Sequence, residues 1–287
     1  MDTGADFNIS RGARGDMTPC WLDTDHLLIQ TNYGLVVVDP ISGQRRAISG
    51  SQNRSLRPIC NPGSATFTFV DNQAVEMTSA PLYELNSSWT ELTTVPHRTT
   101  TFLDSQLILS PDGTAFLYVA DAIGEGRRLM REQIADGTSQ LVYQAASTIT
   151  EPVWSPDMRH IAFGSATDLW VIDADGQNAI NLTTSVRSEA RQWTWSPDST
   201  LIAYSILSGG VSNILVSSIE TESMINLTPD QGMCFEPHWG LDGRTLLITC
   251  QGDRDLNVDV YAVDIVTRAI TRTSFVPARD SAPAWRP

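Results

Sequence analysis

The chain has 287 residues, 41% of them apolar, and its 19 basic and 33 acidic residues give a net charge of −14. This length can bury a large core, and all-β chains of this size often form one domain. The negative charge repels phosphate backbones and anionic lipid, which excludes nucleic acid and membrane surfaces as expected partners. Every basic residue is arginine, which also excludes a Schiff-base lysine and a phosphate-loop lysine.

The sequence predicts neither a membrane-spanning segment nor a targeting segment. No apolar stretch approaches the roughly 18 residues of a transmembrane helix, so no membrane insertion is expected. The N-terminal sequence MDTGADFNISRGARG has no hydrophobic run after its basic residues, which predicts that no signal peptide is present. We therefore expect a cytoplasmic protein if this N-terminus is native, or one whose leader has been removed.

A short motif recurs through the chain at a nearly constant spacing. Its clearest copies are EPVWSPD, starting at Glu151, and RQWTWSPD, starting at Arg191. Copies aligned on their aromatic position follow one another every 44 residues on average, which is the period of a propeller blade of four short strands. The aligned positions are Trp21, Cys60, Leu109, Trp154, Trp195, Trp239 and Trp285.

Each repeat contains short β-rich runs separated by turn signals. After the motif strand, the first three repeats read LLIQT, GLVVVD, RRAIS; then TFTFV, APLYEL, WTELT; then FLYVA, RRLMREQI, QLVYQ. The last three read HIAFG, DLWVI, AINLT; then LIAYS, NILVSSI, MINLT; then TLLIT, DVYAVDI, AITRTS. The sequence therefore predicts an all-β fold, a six-bladed β-propeller with four antiparallel strands in each blade.

The predicted propeller occupies residues 1–287 as one domain. Its repeats start near residues 18, 57, 106, 151, 192 and 236. A seventh motif, SAPAWRP, ends the chain without further strands, so residues 282–287 are predicted to close the ring beside the N-terminal segment. Whether Trp21 or Trp285 takes the innermost position of the closing blade stays open.

The Ser-Pro-Asp sequence of the motif has two interpretations. It offers a hydroxyl and a carboxylate two residues apart, which a catalytic pair would also provide. However, a catalytic pair is not needed in every repeat, whereas proline fixes φ and aspartate bonds nearby amides in a tight turn. The structural interpretation is favoured. No serine lies in a Gly-x-Ser-x-Gly motif, so no catalytic residue is predicted and the protein is expected not to be an enzyme.

The cysteines do not form an evident disulfide framework. Cys20 and Cys60 lie on the first strands of two repeats and are expected to be small buried thiols. Cys234 and Cys250 flank a predicted hairpin, in which strict alternation places Phe235 opposite Cys250 and Cys234 one residue beyond. A disulfide between them is an open alternative, and it would indicate an oxidising compartment.

The candidate site is the mouth of the predicted central channel. The first strand of each blade lines this channel, and side chains alternate along a strand. The aromatic position and the position two before it are mostly apolar, so the positions one and three before it are expected to face the channel. The predicted ligand-binding or partner-binding residues are Arg57, Gln106, Glu151, Gln192, Glu236 and, at a narrower waist, His238.

Converging polar side chains suit a peptide or a small molecule. Two alternatives stay open: a solvated ring in which Arg57 neutralises the glutamates, and a divalent cation held by carboxylates and His238. No metal or cofactor is predicted, because the four histidines lie at unrelated strand positions. The histidines are His26, His97, His160 and His238.

Two further patterns are explained by the repeat itself. Asp173-Ala-Asp-Gly176 resembles the start of a calcium loop but lacks the later ligands, so a hairpin turn is predicted. Asn181 and Asn226 each begin an Asn-Leu-Thr sequence that matches the glycosylation pattern. Both lie at the same place in the fourth strand, so the repeat accounts for them.

The repeat EPVWSPD…HIAF…DLWVIDADG…AINLT resembles that of the TolB-type β-propeller family, which carries a Trp-Ser-Pro-Asp-Gly turn. The resemblance extends over nearly the whole chain and is stronger in the last three repeats. It implies a scaffold that binds proteins, commonly in the bacterial envelope, where TolB works with a peptidoglycan-associated lipoprotein and receives a disordered peptide in its channel. An extracytoplasmic location follows from the same resemblance.

The sequence therefore predicts a non-enzymatic scaffold that binds a protein or peptide partner, as a monomer or as a subunit of a hetero-complex. Two alternatives come from similar propellers. One is a metal-dependent enzyme like the propeller-fold polysaccharide lyases, and the other is the propeller domain of a larger peptidase or envelope protein.

Overall fold

The structure is a computed structural model. It describes residues 17–22, 26–31, 34–39, 42–52, 56–59, 68–71, 82–85, 88, 90–95, 108–122, 124–184, 189–221, 223–229, 231–251 and 258–273. These residues form β-strands and turns, and they contain no helix long and apolar enough to cross a membrane.

The described strands make six four-stranded antiparallel sheets, each built from four consecutive strands. The first sheet contains β1 (Met17–Trp21), β2 (Leu27–Thr31), β3 (Gly34–Val38) and β4 (Arg45–Ala47). The second contains β5 (Leu56–Ile59), β6 (Thr68–Asp71), β7 (Leu82–Leu85) and β8 (Leu92–Val95). The third contains β9 (Ile108–Leu109), β10 (Ala115–Ala122), β11 (Gly126–Gln133) and β12 (Ser139–Ala145).

The other three sheets follow the same order. The fourth contains β13 (Ile149–Trp154), β14 (His160–Ser165), β15 (Asp168–Asp173) and β16 (Ile180–Asn181). The fifth contains β17 (Glu189–Trp195), β18 (Leu201–Ser208), β19 (Val211–Ser218) and β20 (Met224–Asn226). The sixth contains β21 (Met233–Trp239), β22 (Thr245–Gln251), β23 (Val258–Asp264) and β24 (Ile270–Arg272). The predicted all-β fold with four antiparallel strands in each repeat is confirmed.

The chain divides into two compact units. The first is drawn from residues up to 118 together with residues 132–139, and the second from residues 119–131 and from residue 140 onward. The predicted closing strand, residues 282–287, lies outside the described residues.

Each unit has its own apolar core. In the first unit, a buried cluster consists of Leu28, Leu35, Val37, Ile48, Leu85 and Leu92. In the second, the motif tryptophans Trp154, Trp195 and Trp239 are all buried, between 5% and 8% exposed. Trp195 packs with residues of both the fourth and fifth sheets, so the repeated aromatic position joins successive sheets.

The Ser-Pro-Asp turns have the geometry expected of a structural element. Ser155 Oγ donates a hydrogen bond of 2.6 Å to Asp157 Oδ1 and accepts one of 2.9 Å from the His160 amide. Ser196 and Asp198 repeat this arrangement in the next sheet, with the Leu201 amide as donor. Both hydroxyls are buried within their own turns. The structural interpretation of the motif is therefore confirmed.

The two other repeat-derived predictions also hold. The turn after β15 closes through a 2.8 Å bond from the Gly176 amide to the Asp173 carbonyl, as expected of a hairpin. Asn181 Oδ1 accepts from the Thr183 amide, and Asn226 Oδ1 accepts from the Thr228 amide, each at 2.9 Å. The Asn-Leu-Thr sequences thus form a local turn that repeats with the sheet.

The first strands contain a β-bulge that the sequence pattern did not reveal. Strand pairing shifts register between Thr150 and Val153, between Arg191 and Thr194, and between Phe235 and His238. A bulge inserts one extra residue into a strand and resets the alternation of its side chains. Strict period-two alternation therefore fails at the N-terminal ends of these strands.

This bulge corrects the predicted register of the cysteine hairpin. Cys234, and not Phe235, lies opposite Cys250, while Phe235 lies opposite Thr249. Cys234 and Cys250 form a disulfide, and their Cα atoms are 4.1 Å apart. Both cysteines are buried. In the fifth sheet, Ala190 and Ile206 occupy the equivalent paired positions without a covalent link.

Candidate functional site

Four of the six predicted site residues lie on three successive first strands within the second unit. Glu151 is on β13, Gln192 on β17, and Glu236 and His238 are on β21. Arg57 lies in β5, where only the backbone is described, and Gln106 lies outside the described residues. The structure therefore describes the side chains of Glu151, Gln192, Glu236 and His238.

Glu151, Gln192 and Glu236 occupy the same unusual backbone conformation. Their φ angles are 45°, 51° and 53°, in the left-handed region that glycine adopts most easily. Each residue sits at the register shift of its strand. For a residue with a side chain, such a conformation costs on the order of 1 kcal/mol. The site is thus built on three equivalent strained bulges.

Two of these side chains are held by hydrogen bonds. Gln192 Oε1 accepts a 3.1 Å bond from the Glu236 amide, which links β17 to β21 across 44 residues of sequence. The Ser205 hydroxyl lies 3.3 Å from the same oxygen. Glu236 Oε2 accepts a 3.3 Å bond from the Thr249 hydroxyl. Gln192 and Glu236 are accordingly half-buried and oriented by the second strands of their own sheets.

The fourth sheet lacks the equivalent hydroxyl. Gly164 takes the position of Ser205 and Thr249, and a Cβ at Gly164 would lie 2.8 Å from Trp193 Cη2. The Trp193 indole reaches over this glycine and donates a 2.9 Å bond to the Glu151 carbonyl. The Glu151 side chain is exposed. Trp193 thus fixes the backbone of Glu151, while the Glu151 carboxylate points into solvent.

The charges around Glu151 are partly balanced by one arginine. Arg191 Nη2 lies 2.8 Å from Glu189 Oε2. The hydrogen bond to Glu189, and more weakly the charge of Glu151, raise the pKa of Arg191. With Glu236 on the next strand, three carboxylates and one guanidinium lie on β13, β17 and β21. The arrangement favours a neutral or cationic group over an anion.

The surroundings of His238 favour its neutral form. Burial lowers the pKa of His238, and the charge of the nearby Glu236 acts in the opposite direction. An imidazole in this state can accept or donate a hydrogen bond without carrying charge at neutral pH. In the part of the chain that the structure describes, no three histidine, cysteine, aspartate or glutamate side chains are grouped closely enough to hold a metal ion.

Sequence reasoning missed several residues of this site. Glu189, Arg191 and Trp193 contribute charge and an indole donor, and Ser205 and Thr249 orient the bulged side chains. One signal was available for the last two, because they share an aligned position on the second strand with Gly164. The bulge itself has no such signal, because glutamate or glutamine at a bulge position gives the same sequence pattern as a regular strand.

Among the described strands, six consecutive four-stranded antiparallel sheets, the last three of which begin with a strand ending in a buried tryptophan, show the repeat pattern of the β-propeller class. Residues 159–287 match the family model of the TolB β-propeller domain. The resemblance to the TolB-type propeller family is confirmed. A comparison with curated protein sequences gives no match.

Solved structures of three kinds are similar to the chain. An oligogalacturonate lyase in complex with manganese has a TM-score of 0.67 and 17% identity, over 90% of this chain and 75% of that one. A putative TolB from Agrobacterium tumefaciens has a TM-score of 0.54 and 18% identity, over 74% and 79%. A puromycin-hydrolysing peptidase from Mycobacterium tuberculosis has a TM-score of 0.65 and 14% identity, over 92% and 45%. At these identities the similarity establishes the fold.

Proposed function

We propose that the protein is a non-enzymatic scaffold that binds a protein or peptide partner. In this proposal the repeats close into a six-bladed ring through their terminal strands, and the bulged ends of the first strands form the mouth of its channel. Arg57, Gln106, Glu151, Gln192, Glu236 and His238 then line the mouth and waist. The match to the TolB β-propeller model supports this proposal, because resemblance to that family implies protein binding.

The observation that carries the proposal is the strain at Glu151, Gln192 and Glu236. Glycine would adopt these φ angles without steric cost, yet each position holds a polar side chain. Strained backbone persists when the surrounding structure requires it, and it is frequent at ligand clamps. The side chains of Gln192 and Glu236 have structural partners, whereas that of Glu151 makes no hydrogen bond among the described residues and is exposed. Glu151 is therefore the residue we assign to partner binding first.

The expected partner presents a neutral or cationic segment. The chain carries a net charge of −14, and the carboxylates of Glu151, Glu189 and Glu236 outnumber the single Arg191 on these strands. A charge of this size steers basic partners toward the surface and repels acidic ones. The buried Cys234–Cys250 disulfide supports an oxidising, extracytoplasmic location.

The experiment begins with native mass spectrometry and elemental analysis of protein purified gently from its own source. A co-purifying polypeptide without stoichiometric metal supports the scaffold. A metal-loaded protein without a polypeptide would instead favour the lyase-like alternative, and it would overturn the proposal.

The identified partner is then titrated against a double variant, Glu151→Ala with Glu236→Ala. We expect its affinity to fall at least about tenfold, since two charge-assisted contacts are lost. The matched control is Glu91→Ala with Glu125→Ala, which removes two exposed carboxylates away from the site. Equal affinities for the two double variants would refute the mouth as the binding surface. Thermal unfolding of each variant checks that the fold is retained.

A further inference from the structure

A second candidate surface lies at the outer strand of the fifth sheet. Here β20 is the edge strand, because the sheet order is β17-β18-β19-β20. Met224 and Ile225 on this strand are each 39% exposed. Beside them is a hollow of about 70 Å³. It is lined by Leu201, Val216, Ser218, Ser223, Ile225, Leu227 and Ile265.

The backbone of β20 presents hydrogen-bonding groups on its outer side. The Ser218 amide donates to the Ser223 carbonyl, and the Leu227 amide donates to the Ile214 carbonyl, so the ladder uses alternate residues of the outer strand. Ile225, paired with Val216, lies in this inward-bonding set. The peptide groups of Met224 and Asn226 therefore point away from the sheet, two residues apart, which is the spacing at which a further antiparallel strand bonds.

A side-chain hydroxyl caps the equivalent edge in the fourth sheet, and none of the residues described around β20 caps the edge of the fifth sheet in this way. In β16 the outward carbonyl of Asn181 accepts a 3.2 Å bond from the Thr184 hydroxyl. Pro229 takes the position of Thr184 in the fifth sheet and has no hydroxyl to donate. The outer strands β4 and β24 carry arginines, which discourage pairing at an edge, whereas β20 reads Met-Ile-Asn and, like β8, β12 and β16, carries no arginine.

The hollow fits the side chain that an added strand would bring to it. A residue directly opposite Ile225 places its side chain on the same face of the sheet, over the hollow. The volume equals the space of about two water molecules in the liquid, which the end of one aliphatic side chain fills. Five of the seven lining residues are aliphatic, so a polar side chain at this point would lose its hydration without a matching partner.

Charge decides between the possible occupants. A second copy of the chain also carries −14 and would be repelled, while a basic segment would be attracted. Glu220, two residues after the lining residue Ser218, is exposed, and Asp264, which precedes the lining residue Ile265, is paired with Arg244 at 2.7 Å. The local surface therefore keeps an acidic character.

We propose that β20 and its hollow bind an extended segment of a partner protein by strand addition, with one aliphatic side chain in the hollow and basic residues on either side. This surface does not involve Glu151, Gln192 or Glu236, so it stands independently of the proposed mouth. Backbone bonds to Met224 and Asn226 provide affinity, and the hollow selects the side chain between them.

The test uses a capped, fluorescently labelled pentapeptide, Arg-Thr-Ile-Thr-Arg, followed by anisotropy. The protein variant is Met224→Pro, which removes an outward amide and leaves the ladder bonds of β20 in place. Its matched control is Ala179→Pro at the equivalent outward position, just before β16 in the fourth sheet. We expect Met224→Pro to weaken peptide binding at least about tenfold and Ala179→Pro to change it less than about twofold.

A second series uses the unaltered protein, so the proposal stays testable if Met224→Pro fails to fold. Methylation of the two threonine amides of the peptide, or replacement of its isoleucine by serine, should each weaken binding at least about fivefold. Replacement of both arginines by glutamate should do the same, and more strongly at low salt. Met224→Pro should weaken peptide binding by the same factor in the Glu151→Ala, Glu236→Ala background as in the unaltered protein, which separates this surface from the mouth.

Three results would overturn the proposal. The first is the absence of saturable binding of the pentapeptide to the unaltered protein. The second is binding that is insensitive to both Met224→Pro and amide methylation. The third is a dimer in sedimentation experiments that Met224→Pro abolishes, because a second copy would then be the occupant of β20.

Discussion

Removal of the Cys234–Cys250 disulfide is expected to lower the stability of the unit that contains it. The two cysteines are 16 residues apart, and linking such a loop restricts the unfolded chain by about 3 kcal/mol in the chain-entropy model. The variant Cys234→Ala with Cys250→Val imitates the Ala190–Ile206 pair, which fills the equivalent position in the fifth sheet. This choice keeps the site apolar, so the loss of unfolding free energy mainly reports the contribution of the covalent link.

The assay is urea unfolding, followed by tryptophan fluorescence, with and without reductant. Cys20 and Cys60 are replaced by alanine in both proteins, so that only this pair responds. We expect the variant to lose about 2–3 kcal/mol and to be indifferent to reductant, while reduction under unfolding conditions brings the parent to the same value. A loss below about 0.5 kcal/mol, or a variant that still responds to reductant, would refute the reasoning.

Two further predictions concern the Ser-Pro-Asp turns. Met158 has a φ of 62°, so Met158→Gly should relieve left-handed strain and raise the free energy of unfolding by about 0.5–1 kcal/mol. A lower free energy of unfolding for the variant, measured by urea denaturation, would contradict this. The hydrogen bond from Ser196, opposed by partial burial, lowers the pKa of Asp198. The stabilisation from this carboxylate is therefore present above its unfolded pKa near 3.9 and is lost as the pH falls through the folded value. Ser196→Ala should destabilise the protein more at pH 7 than at pH 2.5, and an equal loss at both pH values would refute the assignment.

Sequence reasoning was most successful where the physical cause is local. The turn at Ser155 to Asp157 depends on the side chains of three adjacent residues, and the Asn-Leu-Thr turns depend on two residues within one strand end. The spacing of Trp154, Trp195 and Trp239 is likewise a property of the chain itself. Such features repeat in the sequence because each copy solves the same local problem.

Sequence reasoning was less successful where a strand of one repeat contacts a strand of the next repeat. The bonds that connect the bulged residues join Trp193 to Glu151 and Gln192 to Glu236, across 42 and 44 residues. No local pattern encodes such a pairing, because the two partners are brought together only when successive sheets pack. The replacement of the Thr184 hydroxyl by Pro229 at the equivalent position of the fifth sheet is a difference of the same kind, because its effect is evident only when the two sheets are compared.

The sequence by itself determined the all-β class, the four strands of each repeat, the turn chemistry and the positions of Glu151, Gln192 and Glu236 relative to their tryptophans. These features follow from residue types at fixed spacing, because each depends on interactions between residues that are close in sequence. Only the tertiary structure decided the register, since one extra residue at Glu236 moves Cys234 opposite Cys250 without changing the apolar pattern. A bulge is stabilised by its neighbours across the sheet, and its position is therefore a property of the packed strands.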